Sequence, residues 1–310
     1  MEIYFAPFHG ISFRLFRNIY LKHFPYFDTI ISPFISAAKA ETLTKALFRD
    51  ILPNDENPPI IPQIMGNNAE KIVDTILFLQ QLGFSHVNWN LGCPYTPIVR
   101  KKRACGLMPF AKDIASIVEQ VCHKTTIQFS LKMRLGMYNK EESLEIIEQT
   151  NDFPLDFIGI HARLGTQLYE GKTDWKAFEK CLALSKNKII YNGDIFSIED
   201  YQKFITHFPQ QNTIMIGRGG LQNPFLTAQI KGLVFSEQEQ KHLFALFYND
   251  LTNTYVNYYT KTNILLNRLK ELWKYFAIFY HLSPTQLQSL LRMNNYSDFE
   301  QETNKLIEQK

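Results

Sequence analysis

Cys93 stands in the stretch Asn88-Trp89-Asn90-Leu91-Gly92-Cys93-Pro94, at the end of an apolar run from Phe84 to Leu91 that alternates as a short buried strand does. Gly92 permits conformations that other residues resist, and Pro94 removes a backbone donor. The thiol is therefore held on a sharp turn at a strand end, where a side chain can face a pocket. Arg100-Lys101-Lys102-Arg103 follows at once. A thiol beside a cationic loop suits chemistry on an anionic substrate. A small buried thiol followed by a solvated charge run has the same local pattern, so Cys93 alone decides nothing.

Other polar residues recur at the ends of apolar segments. Pro7 and His9 follow the first, Ser32-Pro33 the second, and Gln63 ends the third. Asn90 and Cys93 end the fourth. Lys132 and Arg134 end the fifth, His161 and Arg163 the sixth, and Asn192 and Asp194 the seventh. The eighth ends in Gly217-Arg218-Gly219-Gly220. Any one of these has an ordinary explanation in packing: His161 as a satisfied core histidine, Lys132 as a snorkelling chain. The set as a whole does not. Glycines and an arginine leading into a helix starting near Gln222 make an anion site, flanked by Asn192-Gly193-Asp194.

Eight strands are expected to carry these groups: Ile3–Ala6, Thr29–Ser32, Ile60–Gln63, His86–Asn90, Thr126–Lys132, Phe157–His161, Lys188–Asn192 and Thr213–Gly217. Helical periodicity lies between them at Ala69–Leu82, Ile114–Cys122, Glu141–Thr150, Trp175–Leu184 and Ile198–Phe208, and Asn54–Pro59 reads as a loop. The alternation fits a (β/α)8 TIM barrel, an α/β fold whose active site lies at the C-terminal strand ends. A doubly wound open sheet is the alternative. It is disfavoured because no Gly-x-Gly-x-x-Gly follows the first strand.

After about residue 236 the strand signals stop. Gln238–Tyr259, Asn263–His281, Pro284–Arg292 and Tyr296–Gln309 read as helices, with core stripes of Leu243, Leu246, Phe247 and Leu251, then Leu265, Leu269, Leu272, Trp273 and Phe276. The expected division is a barrel over 1–236 and an all-helical bundle over 237–310. Lys261, Arg268, Lys270, Lys274 and Arg292 give the bundle a basic face that could clamp a polyanion. The chain of 310 residues is 45% hydrophobic and 20% charged, with net charge +3, which neither demands nor excludes nucleic acid. Its four cysteines form no Cys-x-x-Cys pair, so no metal site or disulfide framework is expected. With no leader and no apolar run long enough for a membrane span, the expectation is a soluble, cytoplasmic monomer with reduced thiols and no membrane contact.

Taken together the motifs resemble the tRNA-dihydrouridine synthases, over roughly residues 1–230. They are Ala6-Pro7, Gln63, Asn90-Leu91-Gly92-Cys93-Pro94, Lys132-Met133-Arg134-Leu135-Gly136, His161-Ala162-Arg163, Gly171 with Asp174-Trp175, Asn192-Gly193-Asp194-Ile195 and Met215-Ile216-Gly217-Arg218-Gly219. In the C-terminal third, Arg268-Leu269-Lys270 and Arg292-Met293-Asn294-Asn295 look closest to the C-type bacterial enzymes. The chain departs from the family pattern at Phe8-His9, where Met then Glu or Asp is usual, and at Ala104, where Gly is usual.

The resemblance implies an FMN-dependent oxidoreductase that reduces a uridine of the tRNA D-loop to 5,6-dihydrouridine, with NADPH as reductant and position 16 as the favoured target. It implies Cys93 as the proton donor. Pro7, Phe8, His9, Gln63, Lys132, His161, Asn192, Gly193, Asp194, Gly217 and Arg218 would bind FMN. Asn90, Arg134, Arg163, Tyr169, Lys101, Arg268, Lys270 and Arg292 would bind the tRNA. The chemistry is coherent: a thiol of ordinary pKa near 8.5 is mostly protonated at pH 7 and can supply a proton. Competing readings are a flavin barrel acting on a small pyrimidine-like molecule, a flavin-free RNA-binding barrel, and a Lys132 Schiff-base aldolase. The small-molecule reading leaves the basic bundle without a purpose. The aldolase leaves Cys93 without one.

Overall fold

A computed structural model of the chain describes residues 1–52 and 60–308, so the expected loop Asn54–Pro59 lies outside the described residues. The elements in order are β1 (Glu2–Phe5), α1 (Arg14–His23), β2 (Thr29–Ile31), β3 (Ile35–Ser36), β4 (Ile60–Ile61), β5 (Gln63–Met65), α2 (Ala69–Gln81), β6 (His86–Leu91), α3 (Thr96–Val99), α4 (Ala111–Lys124), β7 (Gln128–Gly136), α5 (Glu141–Thr150), β8 (Leu155–Leu164), α6 (Trp175–Leu184), β9 (Ile189–Asn192), α7 (Ile198–His207), β10 (Thr213–Ile216), α8 (Arg218–Gln222), α9 (Leu226–Ile230), α10 (Glu237–Tyr258), α11 (Thr262–Phe279), α12 (Pro284–Arg292) and α13 (Tyr296–Glu308).

The parallel strands neighbour one another in the order β3-β5-β6-β7-β8-β9-β10-β1-β2-β4. Only Pro62 separates β4 from β5, and the same pairing continues across it: Ile31 faces Ile61, then Ile35 faces Ile64. Pro33 likewise falls between β2 and β3. A proline cannot donate to the ladder, so each of these two strand positions is broken in two. Counted by position the ring has eight strands, as a (β/α)8 barrel requires. Three helices were not expected from the sequence: the short α3 and α9, and the longer α1, which buries Phe16, Ile19, Tyr20 and Leu21. The helix after β10 begins at Arg218 rather than near Gln222, so the glycine turn is itself helical.

Inside the ring, a small apolar cluster of Tyr4, Ala6, Ile31, Ile61, Phe157, Ile190 and Met215 fills one side. The other side is polar. His86, Asn88 and Asn90 alternate along β6, and Ser130, Lys132 and Arg134 alternate along β7, with Asn88 opposite Ser130 and Asn90 opposite Lys132. A strand's period of two puts each trio on one face.

The larger apolar core lies between the strands and the helices and runs without a break into the C-terminal helices. Ser236 opens α10 with a reciprocal capping box to Glu239, which fixes where the helical region starts. Phe247 of α10 packs against Phe16, Tyr20 and Phe24 of the α1 region. Phe279 of α11 stacks on Phe225, and Tyr275 meets Phe8 edge to face. The α10 stripe is shifted from the expected one: Phe244, Phe247, Tyr248, Leu251 and Tyr255 are buried, whereas Leu246 is 44% exposed. This packing brings α11 to the rim of the barrel.

Candidate active site

The C-terminal strand ends open into one cavity of about 670 Å³. Most residues picked out from the sequence line it: Pro7, Phe8, His9, Gln63, Asn90, Cys93, Lys132, Arg134, His161, Tyr169, Asn192, Gly193, Gly217, Arg218 and Arg268. Phe34, Phe196, Glu271 and Tyr275 also line it and were not anticipated. Glu271 and Tyr275 lie three and seven residues after Arg268. Once Arg268 faces the barrel, helical spacing puts them beside it.

Cys93 sits on a turn built by Asn90. The Asn90 Oδ1 accepts from the backbone N–H groups of Gly92 and Cys93, both at 3.0 Å, while its Nδ2 donates to Gln63 Oε1 at 2.7 Å. Arg134 clamps the same turn, donating from Nε to Gly92 O at 3.1 Å and from Nη1 to Leu164 O at 2.7 Å. Burial pushes the Cys93 thiol up, opposed by the Tyr95 backbone N–H, Arg134 and Lys132. Its proton is therefore held at neutral pH and available for donation.

Lys132 donates from Nζ to Asn192 Oδ1 at 2.9 Å, and Asn192 Nδ2 donates to Met215 O at 2.8 Å. Burial, reinforced by Arg134 and opposed by Cys93, pulls the Lys132 ammonium down to about 7. An anionic ligand beside it would restore the charge. His161 is held well below its ordinary value by burial and by the four cations Arg134, Lys132, Arg163 and Arg218, so it is neutral. Arg163 Nη1 lies 3.3 Å from His161 Nε2. A guanidinium only donates, so Nε2 accepts and the His161 proton is on Nδ1.

Two expected contacts are placed differently. Arg163 is 2% exposed and lies behind the wall, bonded to both Asp194 oxygens and to the carbonyls of Glu170 and Gly171. A guanidinium whose donors are spent in this way acts as a strut between the wall and Asp194. Asp194 does not line the cavity either. It bridges Arg163 to Arg218, whose Nη2 is 3.1 Å away. The Arg218 guanidinium lies over the Tyr169 and Phe196 rings at 4.6 and 5.2 Å.

Arg268 donates to Gly10 O at 2.8 Å and lies over Phe13 at 5.5 Å, tying α11 to the loop after β1. Lys101, Lys270 and Arg292 are outside the cavity, with Lys101 and Arg292 exposed and Lys270 half-buried. His9, stacked on Phe34 at 4.8 Å, is held low by burial and by Arg268. Among the described residues, no group of three or more His, Cys, Asp or Glu side chains could hold a metal ion, and no helix is long and apolar enough to cross a membrane.

With this geometry in hand, comparison with known proteins gives one family. The family described as Dihydrouridine synthase (Dus) matches residues 4–310. A tRNA-dihydrouridine synthase B of Pasteurella multocida is 24% identical over 281 residues, 89% of this chain and 79% of that protein. A tRNA-dihydrouridine(16) synthase of Neisseria meningitidis is 26% identical over 239 residues, 74% and 71% of the two chains. The probable tRNA-dihydrouridine synthase of Aquifex aeolicus is 26% identical over 181 residues, and the match spans 57% of each chain. Among solved structures, the old yellow enzyme of Trypanosoma cruzi superposes with a TM-score of 0.51 at 11% identity, covering 81% of this chain and 94% of that one. The old yellow enzyme homologue of Zymomonas mobilis gives 0.51 at 12%, covering 77% and 92%. At such identities these two likenesses establish the barrel fold.

Proposed function

Because the chain belongs to the dihydrouridine synthase family, we propose that it reduces the C5–C6 double bond of a uridine in the tRNA D-loop, with FMN as cofactor and NADPH as reductant. The observation that carries this reading is the convergence of a protonated Cys93, a Lys132 that an anionic ligand would charge, and a neutral His161 on one cavity. The similarity to relatives named for position 16 supports that uridine as the target.

FMN fits the residues present. The volume lies within the roughly 300–1,000 Å³ usual for cofactor sites. Lys132 and Arg218 offer positive charge, and Gln63 and His161 offer N–H donors. At Gly217 an added Cβ would come within 3.1 Å of the Phe8 ring, so the glycine keeps that wall from closing in. Pro7, Phe8, His9, Gln63, Lys132, His161, Asn192, Gly193 and Gly217 would hold FMN. Arg218, steadied by Asp194, would hold its phosphate. When bound and reduced, FMN supplies the hydride that uracil C6 accepts.

The protein's own groups do the rest. Cys93 gives its proton to C5, so the double bond gains one hydride and one proton. Asn90 and Arg134 hold the turn that aims the thiol. Tyr169, beside His161 and Arg218, offers a face for a base that has left the stack, an extrusion that costs a few kcal/mol. Lys101, Arg268, Lys270 and Arg292 would offset that cost through tRNA phosphates. Mass spectrometry of nucleosides in tRNA from cells lacking the protein, mapped by position, tests the reading. Loss of dihydrouridine at position 16 is expected. Unchanged dihydrouridine at every site would transfer the reaction to a small pyrimidine-like molecule.

A further inference from the structure

Five side chains on the polar side of the barrel interior form one continuous hydrogen-bonded rod. His86 Nε2 meets Ser130 Oγ at 2.9 Å, and Asn88 Nδ2 meets the same oxygen at 2.9 Å. Gln63 Nε2 meets Asn88 Oδ1 at 2.7 Å, and Asn90 Nδ2 meets Gln63 Oε1 at 2.7 Å. The rod ends at the backbone N–H groups of Gly92 and Cys93. Gln63, Asn88 and Ser130 are wholly buried.

Its direction follows from elementary chemistry. Backbone N–H groups only donate, so the Asn90 oxygen must face them and its amide nitrogen must face Gln63. Gln63 then accepts with its oxygen and donates with its nitrogen. Asn88 is fixed the same way, and donates to Ser130. The Ser130 hydrogen is left for His86 Nε2. At the far end His86 Nδ1 lies 3.7 Å from Asp156, which favours the proton on Nδ1, and burial keeps His86 low despite that carboxylate. Both ends therefore impose the same direction.

The consequence appears in the cavity. Asn90 has committed both lone pairs of its oxygen, to the Gly92 and Cys93 N–H groups, and keeps one amide hydrogen. It lines the cavity. We propose that this one-way rod presets the Asn90 amide as a donor only toward the cavity, and that Asn88, which fixes Gln63 and through it Asn90, is a positioning residue for the reaction. A donor-only amide suits a ring carbonyl and turns away a ring amino group. This deepens the dihydrouridine reading and rests on it: a uracil carries a carbonyl at C4, where cytosine carries an amino group, and the C4 oxygen takes up charge when C6 is reduced.

The test compares Asn88→Leu with Asn88→Asp in the full-length, flavin-loaded protein. Aspartate keeps an acceptor for Gln63, whereas leucine removes it. The expected result is a kcat on unmodified tRNA at least tenfold lower for Asn88→Leu, with KM for tRNA within twofold, and Asn88→Asp within threefold of wild type. A buried carboxylate should also melt lower than leucine. A merely structural role would then make Asn88→Asp the slower enzyme, the opposite order. Rates that follow melting temperature would overturn the proposal. Alkylation of Cys93 by iodoacetamide reads the same device without turnover: several-fold faster in Asn88→Leu and unchanged in Asn88→Asp. Equal alkylation in all three proteins would sink the proposal even if the function were another one. A wild type inactive on tRNA but showing the expected alkylation pattern would sink only the functional reading.

Discussion

Asp194→Asn is the most informative single change outside the cavity wall. Asp194 joins Arg163, which is 2% exposed, to Arg218, which is 24% exposed, and is itself 25% exposed. Leaving a buried charge without its partner costs about 3–5 kcal/mol. Asparagine keeps one oxygen for one N–H, and water reaches Asp194, so the expected loss falls below that range, at about 2–3 kcal/mol. For a chain of this size each kcal/mol is worth roughly 2 °C in Tm, giving a fall of about 4–6 °C. Arg218 would also lose its anchor, and FMN retention should weaken about tenfold, equivalent to ~1.4 kcal/mol. The assay is thermal unfolding with and without FMN, together with fluorescence titration of the flavin. Asp152→Asn serves as control, since its pair with Lys186 is exposed on both sides and should leave Tm unchanged. Equal shifts for the two variants would refute the strut. So would unchanged FMN affinity in Asp194→Asn.

Cys93→Ala should leave FMN bound and lower dihydrouridine formation by about 10²–10⁴-fold, the usual worth of a positioned proton donor; unaltered turnover in a single-turnover assay would remove Cys93 from the chemistry. Lys132 makes a pH prediction. Its folded value of about 7 lies below the ordinary lysine value of 10.5. Between the two, the unfolded chain holds a proton that the folded chain lacks, so stability of the flavin-free protein should rise as pH climbs from about 7 to about 10. Lys132→Met should flatten that rise in denaturant unfolding, and an equal slope in both proteins would contradict the burial argument.

The barrel was legible because its strands alternate and its crossover helices repeat at helical spacing. Glu141–Thr150 and Trp175–Leu184 match their expected bounds, and the eight strand positions fall within a few residues. The breaks at Pro33 and Pro62 could have been read from the prolines themselves. The helix α1 was missed because Arg17 sits on its buried face, where a charge hides the apolar stripe. The structure explains that charge: Arg17 bonds Asp50 and the Ser12 carbonyl. Arg163 lies elsewhere than its spacing suggested for a related reason. Two residues after His161 on the same strand, it shares a face with a cavity residue, but its partner Asp194 comes from the next strand's loop, and sequence spacing does not show which donors that carboxylate has already taken. Asn90 gives the same lesson. Its type suggests a base contact, while its oxygen is consumed by the Cys93 turn.

The division of the barrel interior follows from what each half must do. A ring filled with branched apolar residues is the stable arrangement, and β1, β2, β4, β8, β9 and β10 approach it through Tyr4, Ile31, Ile61, Phe157, Ile190 and Met215. On β6 and β7 the inward positions are instead His86, Asn88, Asn90, Ser130, Lys132 and Arg134. Buried amides are tolerable only when each is bonded, since an orphaned one costs about 1–3 kcal/mol. The rod meets that condition by passing one donor from each side chain to the next acceptor. A single polar residue at Asn90 would leave its own amide nitrogen unpaired and free to rotate. Gln63 supplies its acceptor, Asn88 supplies one for Gln63, and Ser130 and His86 carry the sequence to Asp156 at the far end. The polar side thus extends along β6 because a fixed amide at the cavity needs each successive partner fixed as well. The cost is a barrel whose inward positions on β6 and β7 hold hydrogen bonds in place of apolar packing, and the packing of α1, α10 and α11 outside the ring supplies apolar burial that those positions lack.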